Sequence, residues 1–195
     1  MGRKSHFRIT GGIFKGRLLN VPKDRATRPM QGSLRETLFN VLRPELSDAS
    51  VLDLFSGTGS IGLEALSRGA ATVTFFERHK PALGVLRKNI ALLGVEAQTA
   101  VFSIDLLRIS AFPHTPHSPH DIIFIDPPFA FQDPGSEQDL APLVELLVGG
   151  GHVNEDATLV HQLRRKQDPL EEIGRFRLNK EKQQGSVRLA FYRYS

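Results

Sequence analysis

Three carboxylates, each beside a short apolar run, carry the chemistry open to this chain. Asp53 lies in Val51-Leu52-Asp53-Leu54-Phe55 and precedes Ser56-Gly57-Thr58-Gly59-Ser60-Ile61-Gly62. Glu77 follows the run 72–76, and Asp126 follows Asp121 to Ile125 and opens Asp126-Pro127-Pro128-Phe129. Glycines 57, 59 and 62 permit a sharp turn and close ligand approach, at the spacing of dinucleotide sites. An acid ahead of those glycines repels a pyrophosphate but accepts hydrogen bonds from an ammonium group. Glu77 is placed to hold ribose hydroxyls. A ligand with a ribose, an amino-acid ammonium and no phosphate meets both demands, and S-adenosylmethionine is such a ligand. Plainer readings stand beside this one: the glycines serve a turn, and Glu77 is a solvated carboxylate before a helix. Asp105 has two readings of equal standing, an acceptor for an adenine amino group or the cap of a helix starting near Leu106.

The loop at Asp126 points to the reaction. Two consecutive prolines stiffen it and contribute carbonyls without amide donors, so it offers acceptors only. Such a loop suits an exocyclic amino group on a nucleobase. The Asp126 carboxylate and the Pro127 carbonyl each accept one N–H, while Phe129 stacks on the ring. The amine is a weak nucleophile because its lone pair is delocalised. Accepting both hydrogens draws the nitrogen toward tetrahedral geometry and frees that pair for in-line attack on a sulfonium methyl. Asp126 need not be a strong base, since the proton leaves more easily once the methyl is attached. The competing structural reading has the prolines ending a strand and Phe129 in the core.

Elements that could hold these residues alternate along the chain. Short apolar runs at 51–55, 72–76, 99–102, 121–125 and 158–162 predict strands, with two more near 175–179 and 187–194. Between them, helices are expected from the glycine turn to Gly69, from Pro81 to about Leu93, and over about 137–147. Strand–helix alternation predicts an α/β fold with a doubly wound, mostly parallel seven-stranded sheet, closed by a terminal hairpin. Upstream, His6 to Val21 alternates apolar and basic residues around glycines and predicts a hairpin. Ser33-Leu34-Arg35-Glu36 fits a capping box that opens a helix over about 33–43. The reading divides the chain into a basic extension, residues 1–45, and a ligand-binding domain, residues 46–195. In Pro113 to His120, an extended polyproline II segment would place His114, His117 and His120 on one face; a solvated loop is the better reading, and no metal is expected.

The 195 residues include no cysteine, which excludes disulfide frameworks, thiolate zinc sites and cysteine nucleophiles. No apolar run approaches the ~18 residues of a membrane span, and the first 20 residues hold no secretion-type apolar stretch, so a cytoplasmic protein is expected. The net charge of +4 is unevenly sorted: residues 1–50 carry +6, residues 51–162 carry −7 and residues 163–195 carry +5. Basic ends around an acidic centre fit a polyanion-binding surface flanking a pocket for a cationic, hydroxyl-rich ligand; mere solubility is the alternative. Arg3, Lys4, Arg8, Lys15 and Arg17 are the expected phosphate grip.

These residues together resemble the RsmD-type 16S ribosomal RNA guanine-N2 methyltransferases, within the class I S-adenosylmethionine-dependent fold. The resemblance is carried by Arg8-Ile9-Thr10-Gly11-Gly12, Lys15-Gly16-Arg17, Arg28-Pro29, Arg35-Glu36-Thr37-Leu38-Phe39-Asn40, Asp53 to Gly59, Gly62 to Gly69, Glu77, Asn89 and Asp126 to Phe129. It implies one guanine of 16S RNA, naked or in the small ribosomal subunit, as target; a monomer is taken only as the default. It also implies cofactor contacts from Asp53, Gly57, Gly59, Glu77 and Asp105, base contacts from Asp126, Pro127 and Phe129, and RNA contacts extended to Arg28 and Arg35. Met30 and His161-Gln162-Leu163 depart from the family pattern. Rival readings are an adenine-N6 methyltransferase of DNA or RNA with the same fold, an NAD-dependent oxidoreductase, and a non-enzymatic RNA-binding assembly module. Asp53 and the acceptor loop count against the last two.

Overall fold

The computed structural model describes residues 6–22, 30–127 and 140–195. Arg3, Lys4, Arg28 and Phe129, all expected site residues, lie outside the described residues, as does the expected helix start near 137.

A short antiparallel pair, β1 (His6–Arg8) and β2 (Leu18–Asn20), leads to α1 (Gly32–Leu42). Then β3 (Ser50–Leu54), α2 (Ser60–Ser67), β4 (Thr72–Phe76), α3 (Lys80–Leu93), β5 (Thr99–Phe102) and β6 (His120–Ile125) follow in alternation. After α4 (Leu140–Gly149) come β7 (Val153–Arg164), β8 (Glu172–Ile173), β9 (Phe176–Gln184) and β10 (Val187–Tyr194). Strands β3 to β10 form one sheet in the order β5-β4-β3-β6-β7-β10-β9-β8, separate from the β1–β2 pair. From β5 to β7 the strands are parallel, and from β7 to β8 each pairing is antiparallel. Eight strands stand where seven were expected, because the two-residue β8 pairs with the start of β9. So short a strand leaves no alternation to read in the sequence.

The central strands β3, β4 and β6 are apolar almost without alternation because both sheet faces are covered. One face packs α1, α2 and α3 through Leu38, Leu63 and Leu86 against Val51, Val73 and Phe124. The other packs α4 and a 3-10 turn at Leu106–Arg108 through Leu143, Val144 and Leu106 against Leu54, Ile123 and Leu159. Phe7, Ile9 and Leu19 of the hairpin join the first of these clusters, so the core continues across the boundary expected at residue 45.

Two local expectations are corrected. The helix at α1 begins at Gly32 with Gln31 as cap residue and no side-chain cap bond, so the Ser33 capping box is absent. Its start is fixed instead from within, where the Arg35 guanidinium donates to the Met30 carbonyl at 2.8 Å. The three histidines of 113–120 do not share an extended face. The chain turns at Pro116-His117, and His120 is buried as the first residue of β6, with Nδ1 2.9 Å from Ser50 Oγ and Nε2 3.0 Å from Thr115 Oγ1. This end of β6 is opposite Asp126, remote from the glycine turn.

Candidate active site

Sheet order reverses between β3 and β6: from β3 the chain winds outward to β4 and β5, then returns to β6 and β7. A crevice opens beyond the carboxyl ends of strands at such a switch point. Here it is a cavity of about 920 Å³, and its wall includes Asp53, Gly57, Glu77, Asp105, Asp126 and Pro127. Six residues separated by up to 74 positions in sequence thus converge on one space.

Each is held by its strand end. Asp53, in β3, is 2 % exposed, and its Oδ2 accepts from the Gly62 amide at 3.0 Å. Among the described residues no cationic side chain pairs with it. Burial, and then its neighbours Asp126 and Glu77, push its carboxyl up to about 8. Glu77 follows β4; its Oε2 accepts from Gly57 N at 2.7 Å and its Oε1 from His79 N at 2.6 Å. Burial raises its carboxyl too, opposed by those two amides. Asp126 follows β6 and is half-buried at the cavity wall, where desolvation pushes its carboxyl up to about 7. Pro127 beside it is buried.

The turn between β3 and α2 is strained to make room. Phe55, a bulky residue, sits at φ 62°, and Gly57 and Gly59 follow at 55° and 79°. A side chain with positive φ costs about 1–3 kcal/mol and survives only where its surroundings enforce it. Gly59 is not on the cavity wall. It is the cap residue of α2, and a Cβ there would overlap Leu86 Cδ1. Asn89 of α3 fixes the same turn, its Nδ2 donating to the carbonyls of Thr58 at 3.2 Å and Asn20 at 3.1 Å.

Asp105, on the cavity wall, caps the 3-10 turn through Leu107 N at 3.3 Å and pairs with Arg78 Nη1 at 2.6 Å, so the capping role is present at a position that also borders the cavity. Arg8, Lys15 and Arg17 are exposed along the β1–β2 hairpin. Arg35, expected at RNA, is 1 % exposed and is corrected to a structural role. Its Nε meets Glu64 Oε2 at 3.2 Å, and its other nitrogens donate to the carbonyls of Met30 and Arg8. Glu64, fully buried, also accepts from Thr10 N, Thr10 Oγ1, Gly11 N and Arg68 Nε. This hub fastens the N-terminal hairpin to α2. Sequence spacing missed it, although a glutamate at a core-facing position of an apolar helix was the available signal. Also missed were Met30 and Gln31 before α1, Leu34 in α1, and Gln162, Ser186 and Val187 of the C-terminal segment, all on the cavity wall.

A family model for conserved hypothetical protein 95 matches residues 7–193, nearly the whole chain. The Haemophilus influenzae protein named ribosomal RNA small subunit methyltransferase D is 35% identical over 194 residues, covering 97% of this chain and 94% of that protein. The chain belongs to the RsmD-type methyltransferase family. The Escherichia coli RsmD-type protein is 43% identical over 122 residues, a match that spans 63% of this chain and 60% of that protein's length. A solved structure named as a methyltransferase, from Escherichia coli, superposes with a TM-score of 0.80 at 31% identity, covering 98% of this chain and 99% of the other. One from Haemophilus influenzae gives 0.75 at 33% identity, covering 97% and 99%. The class I fold expected for an RsmD-type chain is the one present.

Proposed function

We propose that this chain transfers a methyl group from S-adenosylmethionine to the exocyclic N2 amine of a guanine in 16S ribosomal RNA, acting as a monomer on naked RNA or the small subunit. The observation that carries the reading is one cavity holding two different acidic environments. Asp53 is a deeply buried carboxyl without a cationic partner among the described residues, and Asp126 is a half-buried carboxyl beside a proline carbonyl at the wall. A cationic ligand relieves the first; an NH2 group satisfies the second. The volume, about 920 Å³, is at the upper end of small-molecule sites, room for a cofactor and a base together.

Asp53 holds the amino-acid end of the cofactor and Glu77 its ribose, with Gly57 at the wall keeping the backbone clear and Gly59 shaping the turn behind it. The cofactor, when bound, supplies an electrophilic methyl group on a sulfonium. Asp126 accepts one N–H of the base and orients the nitrogen; the Pro127 carbonyl accepts the other. With its carboxyl raised toward neutrality, Asp126 is also matched to take up the amine proton near pH 7. Residues 1–45 act as an RNA-holding extension, with Arg8, Lys15 and Arg17 exposed on the hairpin.

The test is methylation of 16S RNA and of small subunits with labelled S-adenosylmethionine, followed by digestion to nucleosides. N2-methylguanosine is the expected product. N6-methyladenosine would select the adenine reading, and binding of NAD but not S-adenosylmethionine would overturn both.

A further inference from the structure

We infer that the C-terminal hairpin is a second RNA-backbone grip, formed by Arg165, Lys166 and Lys182 at the cavity rim; the inference rests on the proposed action on RNA. Its basis is position together with unpaired charge.

Position comes first. Strand β7 runs parallel to β6 and therefore ends on the same edge as Asp126. Gln162 of β7 is on the cavity wall, and Arg165 lies three residues further on, in the turn that directly follows the end of β7 at Arg164. Arg165 N donates to the Ser186 carbonyl at 2.9 Å, and Ser186 and Val187, where β10 begins, are on the same wall. Val187 pairs with Arg164 on one side and with Gln184 on the other, so three strands end together at the rim. Gln184 Oε1 accepts from Thr37 Oγ1 of α1 at 2.8 Å, tying this edge to the helix whose Leu34 also lines the cavity. Lys182 is two residues before Gln184 on β9 and faces the same side of the sheet.

Charge is the second observation. Residues 163–195 hold nine basic and four acidic side chains. Two of the acids, Asp168 and Glu181, are drawn to one cation: Arg188 Nη1 stands 2.8 Å from Asp168 and 3.5 Å from Glu181. Arg188 Nη2 also donates to the Arg165 carbonyl at 3.3 Å, fastening the loop after β7 to the hairpin. A third acid, Glu172, pairs with Arg177. Arg165, Lys166 and Lys182 are exposed, and among the described residues no carboxylate lies within ion-pair distance of them. Nothing in the fold requires these cations together. A polyanion laid across the rim does, because each phosphate neutralised releases condensed counterions. A ribose-phosphate strand whose base enters the cavity must pass over this rim, so the occupant is the backbone flanking the target nucleotide.

The experiment compares R165Q/K166Q/K182Q with R87Q/K88Q, a control on the exposed face of α3. Binding to a 16S RNA fragment is followed by fluorescence anisotropy from 50 to 300 mM salt, with S-adenosylmethionine affinity measured on the same samples. The hairpin variant should bind RNA ten- to a hundredfold more weakly, with the slope of log K against log salt reduced by about 2 to 3. Its cofactor affinity should stay within twofold, which also reports an intact fold, and R87Q/K88Q should bind RNA like the parent. An unchanged slope, or equal losses in the two variants, overturns the inference. Weakened binding to small-subunit particles with unchanged binding to RNA also overturns it, since the rim would then meet protein. Because binding is read without turnover, failure of the parent to methylate RNA would refute the proposed reaction and leave the grip separately decided.

Discussion

Asp126 and Asp53 face one cavity but carry different expected losses. Asp126→Asn keeps the shape and removes a charge and a proton acceptor, so single-turnover methylation should fall at least ~10²-fold, the usual worth of a positioned acid–base group. S-adenosylmethionine affinity, read by calorimetry, should stay within a few fold; a matching loss of cofactor binding would merge the two roles. Asp53→Asn should instead weaken cofactor binding. Asp53 also gives that binding a pH dependence. In the ligand-free protein its carboxyl is held up at about 8, and a cationic ligand favours the ionised form. Binding below that pH therefore expels a proton, and affinity should rise with pH toward 8. Calorimetry in buffers of different ionisation heat should show proton release near pH 6.5, absent in Asp53→Asn. Equal heats across buffers would deny the coupling.

The β1–β2 hairpin and α2 are joined by a charge hub, which makes their docking an all-or-none matter. Glu64 accepts from the chain at Thr10 and Gly11 and from Arg35 and Arg68, all while fully buried. Removing one partner of a buried pair leaves an uncompensated charge, at a cost of ~3–5 kcal/mol. Glu64→Gln should lower unfolding stability in urea by about that amount and expose the hairpin to protease; a change under 1 kcal/mol would refute the hub. Close approach at Gly12 supports the same joint. It sits at φ 78°, and a Cβ there would overlap the Ser67 carbonyl, so Gly12→Ala should loosen the hairpin while the cavity stays formed. The paired glycines at 11 and 12 suggested a hairpin turn in the sequence. That they are pressed against the end of α2 appears only when the two elements meet.

At the scale of the whole molecule, the four groups shifted furthest from their ordinary values dominate the response to acid. His120 and His161 are kept neutral by burial down to about 4, so below about 6.5 the unfolded chain binds protons they refuse, and stability falls with pH. Asp53 and Asp126 act with the opposite sign. Their native carboxyls hold protons up to about 8 and about 7, so these groups favour the native state as pH falls toward the ordinary carboxylate range. Two groups against two should leave ligand-free stability nearly flat between pH 6.5 and 4. Urea unfolding of the Asp53→Asn/Asp126→Asn variant should lose that plateau and fall steadily over the same interval; superimposable profiles would contradict the balance.

The order of elements and the chemical type of the site were legible in the linear chain. Apolar runs that hold Asp53 near their close, or stop just before Glu77 and Asp126, read as strands, and parallel strands deliver their carboxyl ends to one edge. Local signals therefore sufficed for β3, β4, β6 and the glycine turn. Arg35 shows the limit: its sequence neighbours say cation, and only the packing of α1 on α2 puts Glu64 against it and withdraws it from RNA. Asp105 likewise has its partner 27 residues away in Arg78. The strain at Phe55, the walls supplied by Met30 and Ser186, and the unpaired cations at the C-terminal rim are all products of juxtaposition between distant segments. Periodicity reports what a residue prefers to be near, whereas tertiary packing decides which opposite charge or empty space it is given.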